Sequence, residues 1–255
     1  MPVHQFADMT WEEVRDADRA AAVAILPVGA VEAHGPHLPL GTDVLIAQGM
    51  ARSCGELLDA QGRTVLILPP VWYTAADFAD DFPGTVSVAA DTVRATIVQI
   101  AASLGTQEIR TLAIANAHLD PGHVEALRGA VRDAEAAEAQ GSARIVFLDL
   151  TRRRVAERLT DEFRTGACHA GRFEGSIVLA EAPDLVRSEI AAELQPVDSS
   201  LSDAIRSGKR SFAEAGGGRA YFGWPADATA DEGRTTVTTL GTMLAEAVLT
   251  AESVA

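Results

Sequence analysis

Five of the six histidines in this chain fall within three short stretches, and each stretch also holds a carboxylate. The first stretch runs from Gly29 to Asp43 and contains Glu32, His34, His37 and Asp43. Glu32 and His34 are two residues apart, so on an extended backbone both side chains point the same way. Gly35-Pro36 ends that extended run, and Asp43 opens the following helix, within reach of the pair. Asp43 has a second reading, as the cap of that helix. The next stretch is Asn116-Ala117-His118-Leu119-Asp120-Pro121-Gly122-His123. His118 and Asp120 repeat the two-residue spacing. Asp120 followed by Pro121 is also an ordinary N-cap and first-turn pair, whereas His118 has no such structural role. His123, one turn inside the helix, reads as a supporting residue. The third stretch, Cys168 to Ser176, lets His169 and Glu174 meet across a short turn, the usual equipment for general acid–base work. Glu, His and Asp together suit Zn²⁺, Mn²⁺ or Fe²⁺. A shared carboxylate with two such sets is the pattern of a two-metal hydrolase.

The elements that must carry these stretches are legible in the hydrophobic texture. Val23–Leu26, Thr64–Leu68, Thr111–Ile114 and Arg144–Leu148 are short β-branched or aliphatic runs without clean alternation, as expected of strands covered on both faces. Ala-rich segments at helical spacing separate them, over Val44–Leu58, Asp91–Leu104 and Pro121–Gln140. Strand and helix in alternation predict a three-layer α/β/α fold with a mainly parallel central sheet. Right-handed crossovers then bring the strand C-termini, and the first two stretches with them, to one edge. Thr10 and Glu13 predict a capping box ahead of an N-terminal helix. Beyond residue 150 the pattern loosens, with further helices expected over Ser176–Ala182 and Val237–Leu249. Gly216-Gly217-Gly218 reads as a surface loop, since it lacks the context and the Lys-Ser/Thr of a phosphate-binding loop. No linker or repeat divides the chain, so residues 1–255 are read as one domain.

Composition narrows the function. The chain has 255 residues, 47% hydrophobic, enough for a substantial core. Lys plus Arg is 21 against 36 Asp plus Glu, a net charge of −15, which disfavours nucleic acid and anionic membranes as partners. Two cysteines, Cys54 and Cys168, read as reduced thiols. The start of the chain lacks the pattern of a signal peptide, and the longest uncharged apolar stretch, Ala20 to Val31, is too short to span a bilayer. The expectation is a cytoplasmic protein.

The motifs resemble the creatininase family of creatinine amidohydrolases and relatives. Gly29 to Asp43 follows the family's Gly-x-x-Glu-x-His-Gly-x-His-Leu-Pro-x-x-Thr-Asp pattern, and Phe82-Pro83-Gly84-Thr85 follows its Phe-Pro-Gly-Thr element. Asn116-Ala117-His118 stands for its Asn-Gly-His, and His169 to Ser176 for its His-Ala-Gly-x-x-Glu-Thr-Ser, with Gly175 in place of Thr. Ala182 to Val186 and Gly223-Trp224-Pro225 also look like family elements, and the resemblance runs in order from about Trp11 to Val248.

The resemblance implies a centre of two divalent ions, Zn and/or Mn, with Fe as a further option. It implies that Glu32, Asp43 and His118 hold one ion and His34, Asp43 and Asp120 the other, with Asp43 bridging. His169 and Glu174 match the family's non-ligand pair beside the scissile amide. It also implies a homo-oligomer, a hexamer built as a trimer of dimers. Creatinine-cleaving members carry Glu at the Asp120 position, an aromatic where this chain has Leu119, and Trp near the place of Cys168. Thr74 to Ala79 departs from the family as well. Leu119 and Cys168 are therefore expected to line an altered substrate wall. The expected activity is hydrolysis of a small-molecule C–N amide bond by a metal-activated water, on an amide other than creatinine. The alternatives are a formamide hydrolase or peptidase of a cofactor-biosynthesis pathway, and a non-catalytic metal-binding homologue. A two-metal phosphatase fits the ligands but finds no Arg or Lys in the first two motifs to clamp a phosphoryl group.

Overall fold

The aliphatic runs come together as one five-stranded sheet in the computed structural model, which describes residues 3–138, 141–167 and 169–253. The strands are β1 (Val3–Gln5), β2 (Ala22–Val28), β3 (Thr64–Ile67), β4 (Thr111–Asn116) and β5 (Arg144–Phe147). Their order is β1-β3-β2-β4-β5, and every neighbouring pair is parallel. All of β2 is buried, as a central strand with both faces covered must be. Ala24 lies opposite Leu66 on one side and Leu112 on the other. The edge strand β1 escapes the hydrophobic pattern because it has only three residues; its pairing with β3 holds it.

The helices, in chain order, are α1 (Trp11–Asp16), α2 (Thr42–Ala60), α3 (Ala90–Thr106), α4 (Pro121–Ala137), α5 (Arg153–Ala156), α6 (Asp161–Thr165), α7 (Arg172–Glu181), α8 (Ser188–Glu193), α9 (Leu201–Arg206) and α10 (Ala230–Ser253). Side chains alternate across each strand, so each strand feeds two cores. Val23 and Ile25 join Met50 and Leu58 of α2, Ile177 of α7 and Leu240 and Leu244 of α10. Ala24 and Leu26 join Val93 and Ile97 of α3 and Leu127 of α4. The result is the expected α/β/α sandwich. Thr10 and Glu13 form both reciprocal bonds of the capping box ahead of α1.

β2 and β4 are adjacent, but the helices that follow them leave for opposite faces: α2 packs on one core and α4 on the other. Such a divergence opens a crevice beyond the C-terminal ends of the two strands, where open α/β sheets bind their ligands. The motifs after β2 and β4 lie there.

Two helices start earlier than their apolar periodicity predicts. α7 begins at Arg172 instead of Ser176, and α10 at Ala230 instead of Val237. Apolar spacing cannot mark a first turn made of Arg, Glu, Gly or Thr. The earlier start of α7 places Glu174 in a helical first turn. The end predicted for α4, Gln140, lies outside the described residues. Residues beyond β5 join the segment after β3 in a smaller core in which Phe78, Phe212 and Phe222 pack together. Gly217 does not match a plain surface loop: it is buried, and a Cβ there would lie 2.5 Å from the Phe222 ring. Among the described residues, no helix is long and apolar enough to cross a membrane.

Candidate metal centre

The chain leaving β2 is bound tightly before it reaches its first carboxylate. Gly29 donates its N–H to Val71 O at 3.1 Å, and its carbonyl accepts the Thr74 hydroxyl at 2.7 Å. A Cβ on Gly29 would stand 2.5 Å from the Val44 backbone nitrogen, so the strand end lies directly against the start of α2. The loop then turns at Gly35, whose φ of +63° suits glycine, and closes when Glu32 N–H donates to Leu40 O at 3.0 Å. Asp43 falls in the first turn of α2. From β4, paired with β2 up to Val28 and Asn116, His118 enters the same crevice two residues on.

These elements bring six ionisable groups into one cluster. His118 Nδ1 lies 3.2 Å from Glu32 Oε1 and 3.0 Å from Asp43 Oδ2. His34 Nε2 lies 3.2 Å from Asp43 Oδ1, 3.5 Å from Glu174 Oε2 and 3.8 Å from Glu32 Oε1. His169 Nδ1 is 3.8 Å from Glu32 Oε1. Asp43 thus offers one oxygen to each of two histidines. None of the six is more than 5% exposed.

Backbone carbonyls set the direction of all three imidazoles. His118 Nε2 is 2.7 Å from Ala75 O, His34 Nδ1 is 3.1 Å from Glu32 O, and His169 Nε2 is 2.9 Å from Ala33 O. A carbonyl only accepts, so each of these nitrogens carries a proton and the opposite nitrogen is left facing the carboxylates. That is how histidine ligands are held around metals. His123 lies beneath, with Nε2 2.8 Å from Asn116 Oδ1, while Asn116 donates its amide to His118 O at 2.7 Å.

The charge balance of the cluster also calls for a cation. Burial raises the pKa of Glu32, against the pull of His118. Burial likewise pushes Glu174 up to about 8, although His34 opposes it. Burial disfavours charge on His34, yet Asp43, Glu174 and Glu32 outweigh it and push its pKa up to about 10. His118 is held well above the usual range in the same way, by Glu32 and Asp43 against burial. Asp43 stays well below the usual carboxylate range despite burial, because His34 and His118 face it. His169 goes the other way: burial and the neighbouring His34 keep it neutral. Glu32 Oε2, His34 Nε2 and Asp43 Oδ2 are buried without a hydrogen-bond partner. Three groups of ligand atoms lie within 4.8 Å of one another: Glu32, Asp43 and His118; His34, Asp43 and Glu174; and Glu32, His34 and His169. The donor set, its orphaned atoms and its proton affinity all fit divalent ions.

The structure therefore gathers Glu32, His34, Asp43, His118, His169 and Glu174, and treats Asp120 differently. Asp120 Oδ1 accepts the N–H groups of Gly122 and His123 at 2.8 and 3.3 Å, and Oδ2 accepts Phe78 N–H at 3.1 Å. Its carboxylate caps α4 and anchors the Phe78 segment, and it lines the same cavity as Glu32, Asp43 and His118. Glu174 stands beside His34 and Asp43 in one of the three groups. Leu119 lines the cavity in front of the cluster, together with Phe78, Phe163 and Phe212. Cys168 lies outside the described residues. The carbonyls of Ala33 and Ala75 and the ring of Phe212, stacked on His169 at a centroid distance of 4.1 Å, are parts of the site that the sequence does not announce. A backbone carbonyl has no residue type, and Phe212 lies in no motif.

Residues 7–248 match the family model described as Creatinine amidohydrolase. The chain is 33% identical over 219 residues to a mycofactocin precursor peptide peptidase of Mycobacterium ulcerans (strain Agy99), covering 82% of this chain and 78% of that protein. It is 30% identical over 192 residues to a creatinine amidohydrolase of Pseudomonas putida, covering 70% of this chain and 72% of that one. A solved structure named "Creatininase Mn" superposes with a TM-score of 0.70 at 24% identity, over 98% of this chain and 99% of its own.

Proposed function

The chain belongs to the creatininase family of hydrolases acting on C–N amide bonds, and we propose that its substrate is a peptide amide, not creatinine, cleaved at a centre of two divalent ions. The size of the cavity carries this reading. It measures about 780 Å³ and extends from Glu32, Asp43, His118 and Glu174 past Leu119 to Arg164 and Ser202. That is room for a ligand of drug or short-peptide size, far more than one five-membered ring needs. The relatives named as precursor peptide peptidases support the same substrate class.

In this reading Glu32, Asp43 and His118 hold one ion and His34, Asp43 and Glu174 the other, Zn or Mn in keeping with the O/N donors. Divalent ions supply Lewis acidity there, polarising an amide carbonyl and lowering the pKa of coordinated water. His169 stands neutral with its Nδ1 lone pair facing the cluster, fixed by Ala33 O and by the Phe212 ring. It takes up a proton at Nδ1 and delivers it to the leaving nitrogen. Leu119 makes its own part of the wall aliphatic, without a ring on which a planar substrate could stack. The protein works in the cytoplasm as a homo-oligomer, which light scattering at micromolar concentration tests; a monomer removes that part of the proposal.

The substrate test is mass spectrometry of products from the Zn- or Mn-loaded protein, offered creatinine and a panel of short peptides in parallel. Cleavage of at least one peptide, well above creatinine turnover, is expected. Creatinine turnover matching or exceeding every peptide would reject the peptide reading.

A further inference from the structure

The cavity that opens from the metal cluster is lined by charge of the other sign as well. The chain carries only 21 Lys and Arg residues against 36 Asp and Glu, yet four arginines, Arg128, Arg153, Arg164 and Arg206, line this one cavity. Three of them are already engaged. Arg128 donates from Nε and Nη2 to Asp149 Oδ2 at 3.0 and 2.7 Å. Arg153 Nε lies 2.9 Å from Glu157 Oε1, and Arg206 pairs with Asp203. Arg164 differs: among the described residues its guanidinium meets no carboxylate and no hydrogen-bond acceptor. The carboxylates of the cavity that lie outside the cluster are taken up elsewhere. Asp120 accepts backbone N–H groups, Glu125 pairs with Arg132 at 2.8 Å, and Asp203 pairs with Arg206.

The backbone that carries Arg164 is held firmly. Arg164 belongs to the last turn of α6, whose start is capped by the Thr160 hydroxyl. Its neighbour Phe163 is buried against Phe173, with ring centroids 4.8 Å apart. The helix ends at Gly166, in the left-handed conformation with a φ of +84°. A Cβ there would stand 2.5 Å from Ser200 Oγ, and Gly166 O accepts the Ser202 N–H at 3.3 Å. Arg164 therefore projects from an anchored turn packed on the Ser200–Ser202 segment.

A chain with a net charge of −15 repels an anionic ligand as a whole. A guanidinium without a partner reverses that locally, and its planar fork matches a carboxylate with two parallel hydrogen bonds. The cavity extends from the metal cluster to Arg164, so one ligand can reach both. We propose that Arg164 is a specificity-determining residue that selects peptides carrying a carboxylate, an inference that rests on the peptide reading above. A peptide offers that group at its C-terminus or on an Asp or Glu side chain.

The test takes one peptide that the Zn- or Mn-loaded protein cleaves and compares its free C-terminus with its C-terminal amide, and Glu with Gln at successive positions flanking the cleaved bond. Wild type is expected to prefer a carboxylate form over its neutral counterpart by roughly 5–30-fold in kcat/KM. Arg164→Ala is expected to erase that preference, mainly through KM, and Arg164→Glu to reverse it. Arg19→Ala removes the same charge three residues before β2, at the opposite edge of the sheet, and is expected to retain the preference. A preference between acid and amide assigns the carboxylate to the C-terminus, and one between Glu and Gln assigns it to a side chain. Peptides cleaved without either preference would overturn the proposal, as would a preference that survives Arg164→Ala or is lost equally in Arg19→Ala. If Arg164→Ala does not fold, Arg164→Gln, longer and also uncharged, is read in the same way; failure of both to fold also overturns it. Wild type that cleaves no peptide instead refutes the peptide reading on which the inference rests.

Discussion

At the scale of residues, the centre is made by what each side chain can still donate or accept once its neighbours are satisfied. His34, His118 and His169 each commit one ring nitrogen to a backbone carbonyl, which fixes the atom facing the carboxylates. Asp43 faces two histidines with separate oxygens, so Asp43→Ala is expected to remove both ions. His169→Ala is expected to keep the metal content, measured by plasma mass spectrometry, and to lower turnover by roughly two to four orders of magnitude, as for loss of a proton-transfer group. Loss of metal from His169→Ala would make His169 a ligand, as its grouping with Glu32 and His34 permits. Asp120 separates capping from ligation. Asp120→Ala is expected to destabilise the fold by about 0.5–2 kcal/mol, the range for a lost N-cap, while both ions stay bound. Denaturant melts and metal analysis of one preparation check this; an ion lost at unchanged stability would restore Asp120 as a ligand.

At the scale of elements, the site depends on how closely β2 ends against α2. Gly29 has no alternative residue there, because any Cβ would meet the Val44 nitrogen at 2.5 Å and the Asp43 carbonyl carbon at 2.7 Å. Those atoms belong to a helix backbone and cannot swing aside as a side chain would. Gly29→Ala must therefore move the first turn of α2, and Asp43 with it. The expected outcome is a loss of about 1–3 kcal/mol of stability from overpacking, together with weaker binding of both ions. Unchanged metal affinity in a destabilised Gly29→Ala protein would show that the centre tolerates movement of α2. The strand ends and the starts of α2 and α4 were legible because Gly, Pro and Asp punctuate them. The start of α7 was not, because its cap is Glu162, ten residues upstream of Arg172 in a separate helix.

At the scale of the whole molecule, metal binding is coupled to both proton uptake and stability. In the metal-free protein, His34 has its pKa pushed up to about 10 and Glu174 up to about 8, so both carry protons near neutrality. A divalent ion needs His34 neutral and Glu174 ionised, so binding expels protons, and affinity must rise with pH and fall as pH falls. A gain of about tenfold per pH unit between roughly pH 6 and 8 is expected for each proton released. Calorimetry in buffers of different ionisation enthalpy counts those protons; affinity independent of pH would show that the ligands are already deprotonated. Ions that bind only the folded chain also stabilise it, by about 2.7 kcal/mol per site at one hundred times the dissociation constant. For a chain of this size that is roughly 5–10 °C per ion, so chelation is expected to lower the melting temperature by at least that much.

Read alone, the sequence determined the α/β/α architecture, the placement of the histidine motifs at the strand ends and the membership of Glu32, His34, Asp43 and His118 in one cluster. Those features follow from local periodicity and from spacings of a few residues, which the backbone converts directly into direction. The tertiary structure set the surroundings of Asp120 and Glu174. Both are carboxylates close in sequence to a histidine. What distinguishes them is which N–H groups surround each one: Asp120 meets Gly122, His123 and Phe78, whereas Glu174 meets only Ala170 and turns toward His34. Phe78 and Asp120, like Ala33 and His169, are distant in sequence and meet only when the sheet and its loops close. The partners that decide the role of a carboxylate or imidazole therefore exist only in the folded chain.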